Sequence, residues 1–295
     1  MTVKKTKKTI LVVDDTETNL DMILAILKEY DVIPVTSGED ALLVLKEEKI
    51  DMILLDILMP GMDGFEVCNG LKADGETKNI PVIFITAKND EDSIEKAYEL
   101  GGVDYVTKPF RPRELMARVK THLCMQEIID NLGYLATRDS LTGVYNRRKF
   151  FELAQSMYEL NKEGVFSIMI DLDHFKNIND LYGHQSGDVV LRSITKAISD
   201  LLPEESVFGR VGGEEFAVLV VASKPDEVKN LVEIIRITVS QLIVLIGDST
   251  TISCTISCGM AQRTEATLSL DDLLKEADIA LYQAKGGGRN RSIFR

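Results

Sequence analysis

Short apolar runs alternate with helix-period segments over the first 123 residues. The runs are TILVVDD (9–15), VIPVT (32–36), MILLDI (52–57), VIFITA (82–87) and DYVTKP (104–109). Amphipathic stretches such as 17–30 and 38–48 lie between them. Strands apolar on both faces need cover on both, so the alternation predicts a doubly wound, five-stranded parallel sheet. Sites in such sheets lie outside the carboxyl ends of the strands. From Arg111 to Thr137 the period is helical. Met125, Ile128, Leu132 and Leu135 follow the 3-4-3 spacing of a coiled-coil seam. An offset seam runs Leu115, Val119, His122, Gln126, Ile129. A helix with two seams can pair with its twin in two registers; the alternative is a plain connector packed on its own domains. Beyond it, strands read FSIMIDLD (166–173), VFGRV (207–211), EFAVLVV (215–221) and TISCTISCGMA (251–261), with helices over 146–161, 186–201, 225–245 and 270–284. Gly212–Gly213–Glu214 joins two of these strands as a hairpin. The pattern predicts an α+β domain with a mostly antiparallel, palm-like sheet. The chain thus divides into an α/β domain (1–123), a linker helix (111–137) and an α+β domain (138–295).

Composition narrows the partners. The 295 residues carry 47 acidic and 34 basic side chains, a formal charge of −13. A polyanion is repelled by such a chain, which argues against broad nucleic-acid binding and favours metal cations. No apolar run is long enough for a membrane span: the most apolar stretch, 231–246, is broken by Glu233 and Arg236. MTVKKTKKT at the start leads straight into a strand and lacks the apolar core of a signal peptide, so the cytoplasm is the expected compartment. The basic residues at 4–8 read as a solvated tail. Cys68, Cys124, Cys254 and Cys258 show no metal-type pairing with histidine and read as buried free thiols, the last two on one face of a strand.

Two acidic constellations carry the chemistry. Asp14 and Asp15 close the first strand and Asp56 the third, so all three meet at one sheet edge. Three carboxylates in one pocket repel each other and invite a hard divalent cation, Mg²⁺ above all. Lys108 and Thr86 follow the fifth and fourth strands and reach the same edge. This set suits phosphoryl transfer onto Asp56 as nucleophile, with the ion and lysine neutralising phosphoryl oxygens. In the second domain Asp171 ends an apolar strand, with Asp173 two residues on, and Glu214 and Glu215 sit at the Gly-Gly turn. A carboxylate from a strand end and one from an adjacent hairpin can hold Mg²⁺ over a triphosphate.

VVDD (12–15), LLDILMPGMDG (54–64), ITA (85–87) and YVTKPF (105–110) together resemble the receiver domain of response regulators. The resemblance implies a flavodoxin-like fold, phosphorylation of Asp56 by a cognate histidine kinase, and Mg²⁺ held by Asp14, Asp15, Asp56 and the carbonyl of Leu58. It also implies a switch pair, Thr86 and Tyr105, with Lys108 as phosphoryl partner. DSLTGVYNRR (139–148), DLDHFKNINDLYGHQSGD (171–188), GRVGGEEF (209–216) and ADIALYQAKGGGRN (277–290) resemble the GGDEF family of diguanylate cyclases, here with GGEEF. That family joins two GTP into cyclic di-GMP and releases two pyrophosphates. The resemblance implies metal ligation by Asp171, Glu214 and the carbonyl of Leu172, with Mn²⁺ an alternative to Mg²⁺. Glu215 would assist with the metal or the 3′-hydroxyl proton. Asn179 and Asp188 would read guanine, and Lys176, Lys285 and Arg289 would neutralise the triphosphate. A carboxylate accepts from both N1–H and the exocyclic amine of guanine, whereas adenine has no N1–H. Asp173 reads as a cap or a solvated acid, His174 and His184 as packing or loop residues, and Phe175 as core or a wall beside the base. Many members carry an inhibitory Arg-x-x-Asp site for the product; this chain has Pro203 and Ser206 there, so none is expected. The combined reading is a phosphorylation-activated diguanylate cyclase acting as a homodimer. A non-catalytic nucleotide sensor and a phospho-dependent docking protein are the alternatives from other classes.

Overall fold

A computed structural model describes residues 7–86, 91–247, 250–265 and 267–295. Ala87 of the ITA motif and Lys4 and Lys5 of the basic tail lie outside the described residues. The chain forms two compact units, Met1–Asn131 and Leu132–Arg295.

The first unit alternates strands and helices: β1 (Thr9–Val13), α1 (Glu17–Ile26), β2 (Asp31–Val35), α2 (Gly38–Glu47), β3 (Met52–Asp56), α3 (Gly64–Ala73), β4 (Val82–Thr86), α4 (Glu91–Glu99), β5 (Asp104–Thr107) and the greater part of α5 (Pro112–Thr137), whose last residues belong to the second unit. The sheet is wholly parallel in the order β2-β1-β3-β4-β5. β3 and β4 are buried at every position, as strands covered on both faces must be. Pro34, which cannot donate to a ladder, sits in the edge strand β2. One core layer gathers Leu55, Phe65, Val67 and Phe84; the opposite layer gathers Ile23, Leu54, Ile83, Leu115 and Val119. α3 starts on a capping box, Asp63 with Glu66, which satisfies two otherwise unpaired amides.

Leu115 and Val119 are thus buried in the first unit's own core, which removes them from the offset seam expected on α5. His122 is tied to Asp104 instead. The other seam is available: Met125, Ile128, Leu132 and Leu135 are all exposed.

The second unit contains β6 (Tyr145–Asn146), α6 (Arg147–Leu160), β7 (Val165–Leu172), α7 (Phe175–Tyr182), α8 (His184–Ser199), β8 (Val207–Arg210), β9 (Glu215–Val221), α9 (Pro225–Gln241), β10 (Val244–Ile246), β11 (Thr250–Ile252), β12 (Ile256–Gln262), α10 (Leu270–Gly286) and β13 (Ser292–Phe294). Six strands form one sheet in the order β13-β12-β7-β9-β8-β6. Its three central pairs are antiparallel, and the two edge pairs are parallel. α7, α8 and α9 cover one face, and α6 and α10 the other.

The strand expected over 251–261 is two strands. Among the described residues β11 pairs only with β10, and the chain leaves strand conformation over 253–255 before β12 begins. Cys254 therefore does not lie on the strand that carries Cys258. Both are buried, and burial pushes the Cys254 thiol up to about 11 and the Cys258 thiol higher still. Cys68 is buried as expected, but Cys124 is exposed on α5, beyond the point where the helix packs on its core.

Candidate functional sites

In the first unit the parallel register brings Asp14, just past β1, and Asp56, at the end of β3, to one edge. Asp14, Asp15 and Asp56 each offer a carboxylate oxygen, and these atoms lie within 4.8 Å of one another. Asp14 and Asp56 are buried and Asp15 is exposed. Lys108 Nζ lies 2.8 Å from Asp14 Oδ2 and 2.5 Å from Asp56 Oδ2. Burial pushes the Asp56 carboxyl above the usual range, although the Lys108 ammonium opposes it. Burial also works against the charge on Lys108, but Asp14 and Asp56 outweigh it and hold the pKa above that of an ordinary lysine. The donor set fits a hard divalent ion: oxygens only, partly open to solvent, with excess negative charge. The Leu58 amide donates to Asp56 Oδ1 at 3.4 Å, which ties that segment to the carboxylate. Thr86 is buried at the end of β4, and Tyr105 is partly buried on β5.

Three supporting contacts have no local signal in the residue pattern. Asn19 of α1 donates to both oxygens of Asp14, at 2.8 and 3.1 Å. Asp104 accepts from Arg118 Nη1 at 2.6 Å and lies 3.0 Å from His122 Nε2, joining β5 to α5. The Tyr105 ring stands edge-on to Tyr98 and under Arg118.

In the second unit Asp171 is the penultimate residue of β7, and its Cα pairs with that of Glu215 on β9. The β8–β9 hairpin places Glu214 at the same end. Lys285, in the last turn of α10, puts Nζ 2.8 Å from Asp171 Oδ2. Burial raises the Asp171 pKa against the opposing ammonium, with Glu215 and Asp173 adding to the rise. Burial also raises Glu214, and the Asp171 carboxylate raises it further. Two clustered, desolvated carboxylates facing one lysine form a donor set in need of more positive charge, so a divalent ion fits here. The Glu215 carboxylate lies against the Gly212 backbone, where any Cβ would come within 2.2 Å of Oε2. Arg210 braces the turn: it donates to Gly213 C=O from Nε and Nη2 and pairs with Asp139 at 3.0 Å.

Asn179 on α7 and Asp188 on α8 lie on the opposite side of the sheet from α10. Among the described residues Asn179 Oδ1 is buried with no hydrogen-bond partner, a costly arrangement unless a ligand donor completes it. Gly187 makes room for it, since a Cβ there would lie 2.0 Å from Oδ1. Lys176 and Arg289 are exposed. Phe175 is buried in the core, while His174 is exposed, with left-handed backbone, at the start of α7. Asp173 is neither a helix cap nor solvated: it is 4% exposed and accepts three hydrogen bonds. Pro203 and Ser206 lie before β8, and Ser206 Oγ is buried without a partner among the described residues.

The family described as "Diguanylate cyclase, GGDEF domain" matches residues 136–291, more than half of the chain. The chain belongs to the GGDEF family. A response regulator receiver domain matches residues 10–120, so this GGDEF protein carries a receiver ahead of its second unit. It is 30% identical to the response regulator PleD of Caulobacter vibrioides over 96% of its own length and spans 65% of that relative. It is 37% identical to the diguanylate cyclase DgcM of Escherichia coli over 56% of its length and 40% of that protein. A solved structure of the coiled coil and GGDEF domain of DgcB from Caulobacter crescentus, in complex with c-di-GMP, superposes with a TM-score of 0.55 at 32% identity, covering 62% of this chain and 98% of that one. Among the described residues no helix is long and apolar enough to cross a membrane.

Proposed function

We propose that this receiver–GGDEF protein is a phosphorylation-controlled diguanylate cyclase that works as a homodimer in the cytoplasm. The observation that carries the reading is the buried Asp171, paired with Lys285 beside Glu214 at the glycine hairpin. Each second unit would hold one GTP, so a single protomer contributes half of the reaction. The 3′-hydroxyl oxygen of one nucleotide attacks the α-phosphorus of the other, the bond to the β-phosphate oxygen breaks, and pyrophosphate leaves. The same exchange in the reverse sense closes the ring and gives cyclic di-GMP and a second pyrophosphate.

Asp171, Glu214 and the Leu172 carbonyl would hold Mg²⁺ or Mn²⁺, which, when bound, stabilises negative charge on the triphosphate. Lys285 would turn from Asp171 toward the phosphates as that ion takes over the carboxylate, with Arg289 and Lys176 adding positive charge. Asn179 Oδ1 would accept from the guanine amine, and Asp188 from N1–H and the amine together. Glu215 would take the hydroxyl proton or support the ion. Pro203 and Ser206 supply neither charge of an inhibitory Arg-x-x-Asp site, so feedback through that site is not expected. Similarity to DgcM and to the DgcB domain solved with c-di-GMP supports the choice of reaction.

In the receiver, Asp14, Asp15, Asp56 and the Leu58 carbonyl would hold Mg²⁺, and Asp56 would accept a phosphoryl group from a histidine kinase. Lys108 would then move its ion pair onto the phosphoryl oxygens, and Thr86 and Tyr105 would follow. The exposed seam of α5 would pair with its twin and bring two GTP-loaded units face to face, where proximity itself lowers the barrier. The decisive experiment is incubation of the protein with GTP and Mg²⁺, with and without trifluoroberyllate as phosphoryl mimic, followed by nucleotide chromatography. Cyclic di-GMP formation that rises with the mimic in wild type but not in Asp56→Asn is the expected result. Unconsumed GTP in both conditions rejects the cyclase, and equal activity with and without mimic rejects the switch.

A further inference from the structure

Asp173 takes no part in the steps above, yet it is one of the most heavily bonded acids in the second unit. Its Oδ1 accepts from Ser257 Oγ at 2.7 Å. Its Oδ2 accepts from Thr255 Oγ1 at 2.7 Å and from the Asn290 N–H at 2.9 Å. Its own N–H donates to the Thr255 carbonyl at 2.9 Å. The contact with Asn290 joins positions 117 residues apart.

The segment so gripped has an unusual backbone. Gly288, Arg289 and Asn290 have φ of +112°, +64° and +44° in succession. Glycine adopts such angles freely, but two consecutive L residues stay there only where their surroundings over-determine them. A second hold comes from α9: Arg236 Nη1 donates to Asn290 Oδ1 at 2.6 Å and to its carbonyl at 3.3 Å. Glu233 fixes that guanidinium with two bonds, at 2.9 and 2.6 Å. The Arg289 N–H donates to the Ala284 carbonyl at 3.1 Å, so the segment is continuous with the helical turn that carries Lys285.

We propose that Asp173 is a positioning residue for Arg289: it clamps the Gly288–Asn290 segment in its left-handed form and so aims the Arg289 side chain at the triphosphate, with Arg236 as the second clamp. The carboxylate two residues past the metal-binding Asp171 thereby couples the end of β7 to the phosphate-binding end of α10. This rests on the cyclase reading of the same site.

The test is steady-state pyrophosphate release by the full chain with Mg²⁺ and trifluoroberyllate. Asp173→Asn keeps the shape and one acceptor but removes the charge that holds the Asn290 amide. Its KM for GTP rises about tenfold, the size expected for one lost charge-assisted phosphate contact, while kcat stays within about threefold. Arg289→Ala shows the same split, and the double variant is no worse in KM than Arg289→Ala alone. Arg236→Gln, a change outside the hydrophobic core clusters, raises KM about threefold and carries the test if Asp173→Asn does not fold. An unchanged KM in folded Asp173→Asn or in Arg236→Gln overturns the proposal, as does a double variant whose KM effects simply multiply. Wild type that neither binds GTP nor forms product overturns the cyclase reading itself, an outcome distinct from both.

Discussion

The exposed seam on α5 gives the sharpest quantitative prediction. Leu132 and Leu135 are each 61% exposed, an unusual state for two leucines one turn apart on a helix. Full burial of a leucine side chain is worth about 2 kcal/mol relative to exposure, and alanine keeps about a third of that gain. Pairing with a twin can hide only the share that is open in one protomer. Leu132→Ala with Leu135→Ala alters four side chains per dimer, and the loss comes to about 3 kcal/mol, or about a hundredfold in the dimer dissociation constant. Sedimentation equilibrium in the presence of trifluoroberyllate measures that constant directly. Product formation followed against protein concentration gives the functional counterpart: specific activity drops at low concentration and recovers when the concentration is raised about a hundredfold. An unaltered dissociation constant would refute pairing through this seam. Activity that stays low at every concentration would refute the idea that the seam acts by association alone.

Three further outcomes are expected. Asp171→Asn lowers cyclic di-GMP formation by at least about a thousandfold, and the thermal midpoint of the unliganded protein does not fall, because burial already disfavours the charge at that position; activity retained within tenfold removes Asp171 from the metal site. Asp188→Asn raises KM for GTP at least about tenfold and narrows the preference over ATP, read by competing the two nucleotides, since one of the two acceptor oxygens is replaced by an amide donor that faces a guanine N–H; an unchanged preference places base recognition elsewhere. Burial works against the Asp104 carboxylate, but Arg118, His122 and the Tyr105 amide outweigh it and hold its pKa below the usual range. Its stabilising contribution is therefore complete above the unfolded pKa of about 4 and disappears as pH falls through the lower, folded value. Urea unfolding should show Asp104→Asn less stable than wild type by about 1–2 kcal/mol at pH 7, with the gap closing below pH 4; a gap that widens in acid reverses the sign of the argument.

Periodicity and strand-end positions were enough to determine both sheet classes and to bring Asp14 to Asp56 and Glu214 to the end of β7. Near-continuous apolar runs such as MILLD and VIFIT, alternating with helix-period segments, predict central parallel strands, and a parallel register brings Asp14, Asp56 and Lys108 to one edge. The glycine hairpin after VFGR likewise fixes Glu214 next to the end of β7. These are local rules, in which a residue's place follows from its neighbours in the chain. Tertiary structure decided what depends on contacts distant in sequence. Of the two seams on α5, the core of the first unit absorbs Leu115 and Val119 and leaves only the other free. The run 251–261 has strand composition throughout, yet its middle is pulled out of the sheet where Thr255 meets Asp173. Asp171 and Asp173 are the same residue type two positions apart. One faces a lysine and the hairpin acids, the other two hydroxyls and a distant amide, and it is the partners each meets on folding that separate them.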